Sequence, residues 1–124
     1  FITQRIINSN IEECKKYGAT DTVIQATDTI VESVENKIIS NIPIRDYMYQ
    51  GQTPQTFKIN ELVQEYQELT DEEKNILTDA CKIYVIKGKK VKLVIGELYN
   101  MKITTPYDLK MANMMLGIKG DNND

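Results

Sequence analysis

A helical segment followed directly by a strand-forming segment opens the chain, and this order constrains its fold more than any other feature. Residues 2–14 carry isoleucines and a cysteine at helical spacing, Thr3 can cap the N-terminus, and Gly18 suits the end. The next residues are rich in Thr, Val and Ile, and the apolar side chains of residues 23–26 are typical of a strand buried on both faces. A helix that begins at the first residue indicates a piece of a larger protein.

The rest of the sequence alternates between strand-like and helical patterns. In chain order we predict first a hairpin of strands Thr29–Val34 and Lys37–Ile42, with its tip at residues 35–36, and then an ordered loop over Tyr47–Phe57. A helix from Asn60 to Leu69 follows, and a second helix runs from the capping box at Thr70 and Glu73 to Cys81. The remainder is predicted as two strands within residues 82–97 divided at Gly88, a last helix from Thr105 to Gly117, and a polar tail over 117–124.

This order predicts α/β layering around a mainly parallel sheet of about three strands. So small a sheet indicates that half of the fold is missing. A projecting hairpin is marginally stable alone, so we expect it to pack against a second subunit.

Charge and composition exclude several classes of function. The net charge of −3 is unlike that of a general nucleic-acid binder, and the absence of His removes the commonest general base and metal ligand. The two cysteines are far apart and outside any CxxC pattern, which excludes a disulfide framework or a zinc site. No apolar run approaches membrane-spanning length and no signal peptide is visible, so we expect a cytoplasmic protein without membrane contact.

Two candidate sites lie in the first half of the sequence. Thr27–Thr29 follow an apolar strand, where ligands bind in open α/β sheets, although such residues also simply end strands. Arg45 is one of two arginines in a lysine-rich chain and suits bidentate phosphate recognition, or it is a solvated surface residue.

Three further places could contact a polar ligand. Residues 51–55 form a polar loop or an ordinary connection, and Thr78–Asp79 lie in a helical pattern, where a hydroxyl usually bonds its own backbone. Lys102 lies between a strand-like run and a capped helix, where an ammonium could meet a phosphate, although a single Lys usually faces solvent. There is no GxGxxG, no P-loop and no nucleophile with an adjacent base.

Four strings occur in order along residues 1–116: ATDTIVES, IPIRDYMYQGQTPQTF, LTDACKIY and GELYNMKITTPYDLKMAN. Together they resemble the C-terminal half of the sugar-alcohol-phosphate cytidylyltransferases, which act on ribitol 5-phosphate or on 2-C-methyl-D-erythritol 4-phosphate. The resemblance implies a Rossmann-like nucleotidyltransferase sheet with a protruding β-arm at about residues 29–52.

The resemblance also implies a role for each matching residue. Thr29 and Arg45 correspond to arm residues that reach the polyol phosphate of the partner subunit in a homodimer. Thr53 and Thr78 correspond to substrate contacts, and Lys102 to a lysine that stabilises the reacting phosphates. The family reaction uses CTP and Mg²⁺, and the residues that hold them precede Phe1 in the family pattern, so no metal ligand is expected in this chain and the chain alone is expected to be inactive.

The substrate is predicted from smaller differences. Thr27 stands where the methylerythritol enzymes usually carry Arg, and this difference, with YQGQTPQ and CKIYV, favours ribitol 5-phosphate. The alternatives are methylerythritol phosphate and an inactive, arm-exchanged dimerisation fragment.

Overall fold

The structure is a computed structural model that describes residues 1–117. Its elements, in chain order, are α1 (Gln4–Tyr17), β1 (Ala19–Gln25), a 3₁₀ turn (Arg45–Tyr47), β2 (Tyr49–Phe57), α2 (Ile59–Gln67), α3 (Asp71–Asn75), α4 (Cys81–Ile86), β3 (Lys92–Ile95) and α5 (Pro106–Met115). Among the helices of these residues, none has both the length and the apolar character needed to cross a bilayer.

Within residues 1–117, one sheet of three strands forms in the order β2-β1-β3. β1 pairs parallel with β3 and antiparallel with β2, so the sheet is mixed rather than mainly parallel. The antiparallel member is the segment predicted to be a loop. Its Gly, Pro and Gln residues give no alternating pattern, but its pairing with β1 from Ala19–Phe57 to Gln25–Tyr49 makes it a strand.

The pairing of β2 with β1 is interrupted by a bulge. Asp21 opposes Gln55 and Val23 opposes Gly51, so β2 has two extra residues between these pairs. Residues 52–54 therefore leave the regular ladder. Bulges often re-aim side chains beside binding sites, and Gln52 and Thr53 of this one line a cavity.

The apolar core lies between the sheet and the helices α2–α4. Ala19, Leu69, Ile83 and Tyr84 are its buried centre, and Tyr84 stacks on Phe57 with ring centroids 5.3 Å apart. The segment 82–86, predicted to be a strand, is helix α4, because in helical form it places Ile83 and Tyr84 together in this core. The single helix predicted over 70–81 is likewise wrong, since α3 ends at Asn75 and a turn precedes α4.

On the other side of the sheet, α1 packs against β1 through a polar contact. Asn10 is 1% exposed and donates from Nδ2 to Ile6 O and to Thr22 Oγ1, both at 2.8 Å, while Thr20 Oγ1 donates to its Oδ1 at 2.8 Å. Thr22 Oγ1 then donates to Pro54 O at 2.8 Å. A buried chain of hydrogen bonds thus connects α1, β1 and the bulge of β2.

The predicted hairpin is present as a reversal of the chain but not as two strands. Glu32 and Asn41 form one isolated bridge, and Asn36 at the predicted tip has a φ of 63°. β2 begins at Tyr49, so the arm is residues 29–48. Apolar side chains of the arm face solvent within this chain: Val34 is 74% exposed and Ile38 is 75% exposed. The predicted polar tail, except Gly117, lies outside the described residues.

Candidate functional site

A cavity of about 680 Å³ opens beside the end of β1. Four segments line it: the end of β1, the bulge of β2, the turn before α4 and the loop after β3. The lining residues are Ile24, Gln50, Gly51, Gln52, Thr53, Gln55, Thr78, Asp79, Leu98, Asn100, Met101 and Lys102. Because β1 and β3 are parallel, their carboxyl ends meet at one edge, where ligands bind in open α/β sheets.

Thr53 reaches the cavity because of the bulge. It lies in the middle of residues 52–54, which have no paired counterpart on β1. The backbone oxygens of the bulge are instead bound by side chains: Asn100 Nδ2 donates to Thr53 O at 2.7 Å and Thr22 Oγ1 to Pro54 O at 2.8 Å. The segment predicted to be a polar loop is thus part of the sheet, and hydrogen bonds from two side chains fix its backbone.

Thr78 and Asp79 lie in the turn before α4, outside any helix. Asp79 Oδ1 accepts a hydrogen bond from the backbone N–H of Lys82 at 3.1 Å, in the first turn of α4. Since Thr78 is not in a helix, its hydroxyl is not used in a hydrogen bond to a helical backbone carbonyl, as the sequence had suggested. Its place in the cavity wall is available for a ligand.

Lys102 lies in the loop between β3 and α5 and lines the same cavity. Within residues 1–117 its ammonium group makes no ion pair with a carboxylate. The structure therefore brings a cation and the hydroxyls of Thr53 and Thr78 to one cavity. This combination suits a phosphorylated polyol, because Lys donates to phosphate and Thr can donate to or accept from sugar hydroxyls.

Thr29 and Arg45 do not line this cavity. Thr27–Thr29 follow β1, which ends at Gln25, as the sequence predicts, but Thr29 is exposed on the arm. Arg45 lies in the 3₁₀ turn and its Nη1 donates to Thr27 O at 3.2 Å. Among residues 1–117 no carboxylate pairs with it. One chain thus holds the five predicted residues in two separate groups.

Beside the cavity, burial acts on two further titratable groups. Burial, and next the carboxylate of Asp79, raises the pKa of the Asp21 carboxyl above its ordinary value. Burial also raises the pKa of the Cys81 thiol, and the carboxylates of Asp21 and Asp79 raise it further. Cys81 is 6% exposed and its Sγ lies 3.8 Å from Thr20 O, as is typical of a cysteine packed in a core.

Residues 1–117 hold no group of three or more Cys, Asp or Glu side chains suited to a metal ion. Mg²⁺ is often held by only one or two carboxylates together with substrate phosphates. No chemical step is assigned here to the Mg²⁺ that the family resemblance implies.

The sequence alone missed Asn100. It is 5% exposed, lines the cavity and bonds to both Gln52 and Thr53. Nothing in one sequence distinguishes a buried loop Asn from a solvated one. In the string NMKITTP, Asn100 precedes Lys102 by two residues, and only the lysine has a charge that suggests a phosphate contact.

Comparisons with known proteins identify the family of this chain. The family model of IspD, 2-C-methyl-D-erythritol 4-phosphate cytidylyltransferase, matches residues 1–118. The structure is similar to a 4-diphosphocytidyl-2C-methyl-D-erythritol synthase from Anaerococcus prevotii, with a TM-score of 0.80 and 29% identity over 94% of this chain and 54% of that one. It is also similar to 2-C-methyl-D-erythritol 4-phosphate cytidylyltransferase from Thermus thermophilus, with a TM-score of 0.78 and 25% identity over 94% of this chain and 57% of that one.

The chain spans about half the length of these relatives. The predicted fold class, part of a Rossmann-like nucleotidyltransferase, is confirmed, and so is the family resemblance. Since the family model covers nearly the whole sequence, the chain belongs to the IspD family of cytidylyltransferases.

Proposed function

We propose that this chain is the part of a cytidylyltransferase that binds a polyol phosphate and holds it for reaction with CTP. The observation that carries the proposal is the convergence of Thr53, Thr78 and Lys102 on one cavity of about 680 Å³. The family resemblance implies that Thr53 and Thr78 contact the polyol phosphate and that Lys102 contacts the reacting phosphates.

In the proposed reaction a phosphate oxygen of the polyol phosphate attacks the α-phosphorus of CTP. The bond from that phosphorus to the bridging oxygen breaks, and pyrophosphate leaves with the electron pair. The attacking phosphate is already an anion, so no general base is needed and the absence of His is no obstacle. Lys102 would balance charge that builds up on the phosphates, and the two threonines would orient the polyol.

The preferred substrate is 2-C-methyl-D-erythritol 4-phosphate. The sequence alone favoured ribitol 5-phosphate, but the matching family model and the two structural relatives carry the methylerythritol name. Ribitol 5-phosphate is the second candidate, because Thr27 precedes Asp28 and Thr29 where the methylerythritol enzymes usually have Arg.

The arm would complete the cavity of a partner subunit. Val34 and Ile38 are about three-quarters exposed, which is costly for apolar side chains unless another surface covers them. Arg45 has no acidic partner within the described residues and is free to bind a phosphate. We therefore propose a homodimer in which Thr29 and Arg45 reach the neighbouring polyol-phosphate site.

The test is turnover by the longest gene product that contains residues 1–124. The protein is mixed with CTP, Mg²⁺ and either polyol phosphate, and pyrophosphate release is measured. We expect a higher kcat/KM with methylerythritol phosphate. A reversed preference would establish the ribitol reading, and no turnover of either compound would refute the proposed activity. Light scattering of the same sample tests the homodimer, which a monomer at every concentration would refute.

A further inference from the structure

Two amide side chains join the bulge of β2 to the loop after β3. Asn100 Nδ2 donates to Thr53 O at 2.7 Å and to Gln52 Oε1 at 3.3 Å. Gln52 Nε2 in turn donates to Glu97 O at 2.9 Å. Each amide thus bonds to the other's segment, so the bulge and the loop are held in one arrangement.

Gly96 leaves the space that this arrangement needs. A Cβ added at Gly96 would overlap Gln52 Oε1 and lie 2.8 Å from Thr22 Cγ2. Gly96 also continues the pairing of β3, since its N–H donates to Val23 O at 2.8 Å. The side chain of Gln52 therefore crosses directly over the end of β3.

Arg5 of α1 binds the end of β3 and the start of the loop. Its Nη1 donates to Ile95 O at 3.1 Å, and its Nη2 donates to Glu97 Oε1 at 3.0 Å. Beyond Glu97 the chain forms no helix or strand until Pro106. Asn100, which is 5% exposed, is thus the buried attachment nearest to Lys102 on this loop.

We propose that the Gln52–Asn100 amide pair is a positioning device that sets Lys102 against Thr53 across the cavity. This inference rests on the proposed function and deepens it. Lys102 has no ion pair within residues 1–117 to hold its ammonium group, so its place depends on its backbone, two residues from Asn100. The same Asn100 amide binds the carbonyl of Thr53. One side chain therefore fixes both sides of the polyol-phosphate site, and a small displacement of a charge-stabilising group lowers kcat strongly.

The informative substitution is Asn100→Asp in the longest gene product. It keeps the shape of the side chain but replaces the donating NH₂ by an oxygen, so the contacts with Thr53 O and Gln52 Oε1 are lost. Gln52→Glu is a milder variant, because it removes only the hydrogen bond to Glu97 O and keeps an acceptor for Asn100. Asn113→Asp, at an exposed position of α5, is the matched control for the same chemical change.

Two measurements separate positioning from general stability. The first is hydrogen exchange of the backbone amides of residues 97–102, which we expect to accelerate at least tenfold in Asn100→Asp and to stay unchanged in Asn113→Asp. The second is steady-state kinetics below the melting temperature of each variant. We expect kcat to fall at least tenfold in Asn100→Asp and less in Gln52→Glu, with the KM for CTP within about threefold of the wild type.

The inference and the proposed function fail in different ways. Unchanged exchange and kcat in Asn100→Asp, with active wild-type protein, would overturn the positioning role and leave the cytidylyltransferase proposal intact. Faster exchange with an unchanged kcat would also overturn it, because the loop would then have loosened without any effect on the function of Lys102. A wild-type protein that turns over neither polyol phosphate would overturn the proposed function and this inference with it.

Discussion

Removal of the buried amide of Asn10 should destabilise the protein more than any exposed Asn substitution. Asn10 is 1% exposed and takes part in three hydrogen bonds of 2.8 Å, with Ile6 O, Thr20 Oγ1 and Thr22 Oγ1. A typical hydrogen bond contributes about 1 kcal/mol, so Asn10→Ala should lower the free energy of unfolding by about 3 kcal/mol. The loss would be larger if Thr20 Oγ1 stays a buried donor without an acceptor, because such a donor costs more than an ordinary hydrogen bond contributes.

Urea unfolding measures the effect directly. With an m value of about 2 kcal/mol/M, a loss of about 3 kcal/mol moves the midpoint down by about 1.5 M. Asn8→Ala is the control, because Asn8 is exposed on the same helix and accepts a bond from Gln4 Nε2. Its free energy of unfolding should change by less than about 0.5 kcal/mol. Equal midpoints for the two variants would refute the claim that the buried network holds α1 to the sheet.

Three further changes test the site, the arm and a buried carboxylate. Lys102→Ala should lower kcat at least tenfold in the pyrophosphate-release assay, and Lys102→Arg should recover only part of it. Arg45→Ala should raise the KM for the polyol phosphate or lower kcat by the equivalent of about 2 kcal/mol, with CTP binding nearly unchanged, and Arg45→Lys should not restore it fully. The pKa of the Glu65 carboxyl is held below its ordinary value of 4.5 by hydrogen bonds from Lys89 and then Lys87. The ionised Glu65 carboxylate therefore stabilises the fold fully above about pH 4.5, and this stabilisation is lost as the pH falls through the lowered pKa. In Glu65→Gln, the urea midpoint should fall less steeply between about pH 7 and pH 3 than in the wild type.

Each of these changes has a clear contrary result. Wild-type kinetics in Lys102→Ala would remove the cation from the proposed mechanism, and wild-type kinetics in Arg45→Ala would return that residue to the solvated surface. For Glu65→Gln, an acid limb as steep as that of the wild type would mean that other carboxyls dominate acid unfolding. Lys110→Ala, on an exposed face of α5, is a matched control for loss of one positive charge.

The N-caps of α1, α3 and α5 and the end of α1 were predicted accurately from sequence, because their signals are local, whereas Asn60, predicted to begin a helix, lies inside α2. Thr3 Oγ1 accepts from the N–H of Ile6 at 3.2 Å, and Gly18 ends α1 with a φ of 92°. The capping box of Thr105 and Asp108 begins α5 as expected. These contacts lie within a few residues of each other, so a single sequence contains all the information they need.

The errors fall where distant parts of the chain decide the structure. β2 contains Gly51 and Pro54, which disfavour a strand, yet pairing with β1 and side-chain bonds from Thr22 and Asn100 hold it in the sheet. α4 contains the β-prone run KIYVI, but burial of Tyr84 beside Leu69 favours the helical form. In both β2 and α4, tertiary contacts determine a secondary structure that differs from the local propensity.

The candidate site was predicted in chemical type but not in arrangement. The sequence placed Thr53 in a polar loop, Thr78 in a helical pattern and Lys102 after a strand-like run, and the three-dimensional structure brings them to one cavity. Their separation along the chain prevents any spacing rule from grouping them. Asn100 was missed for the same reason, since its bonds to Gln52 and Thr53 join residues 47 or more positions apart.

The two extra residues of the β2 bulge have a consequence for how this edge of the sheet can vary between homologues. Side chains alternate between the two faces of a strand with a period of two, so an even insertion leaves Gly51 and Gln55 on the faces they would occupy in an uninterrupted strand. Lengthening or shortening the bulge by two residues therefore reshapes the cavity rim while the remainder of β2 keeps its orientation. The ladder resumes from Gln55 to Phe57, so the contact of Phe57 with the core is kept when the bulge changes. Variation in pocket size can therefore be confined to residues 52–54 without repacking the core.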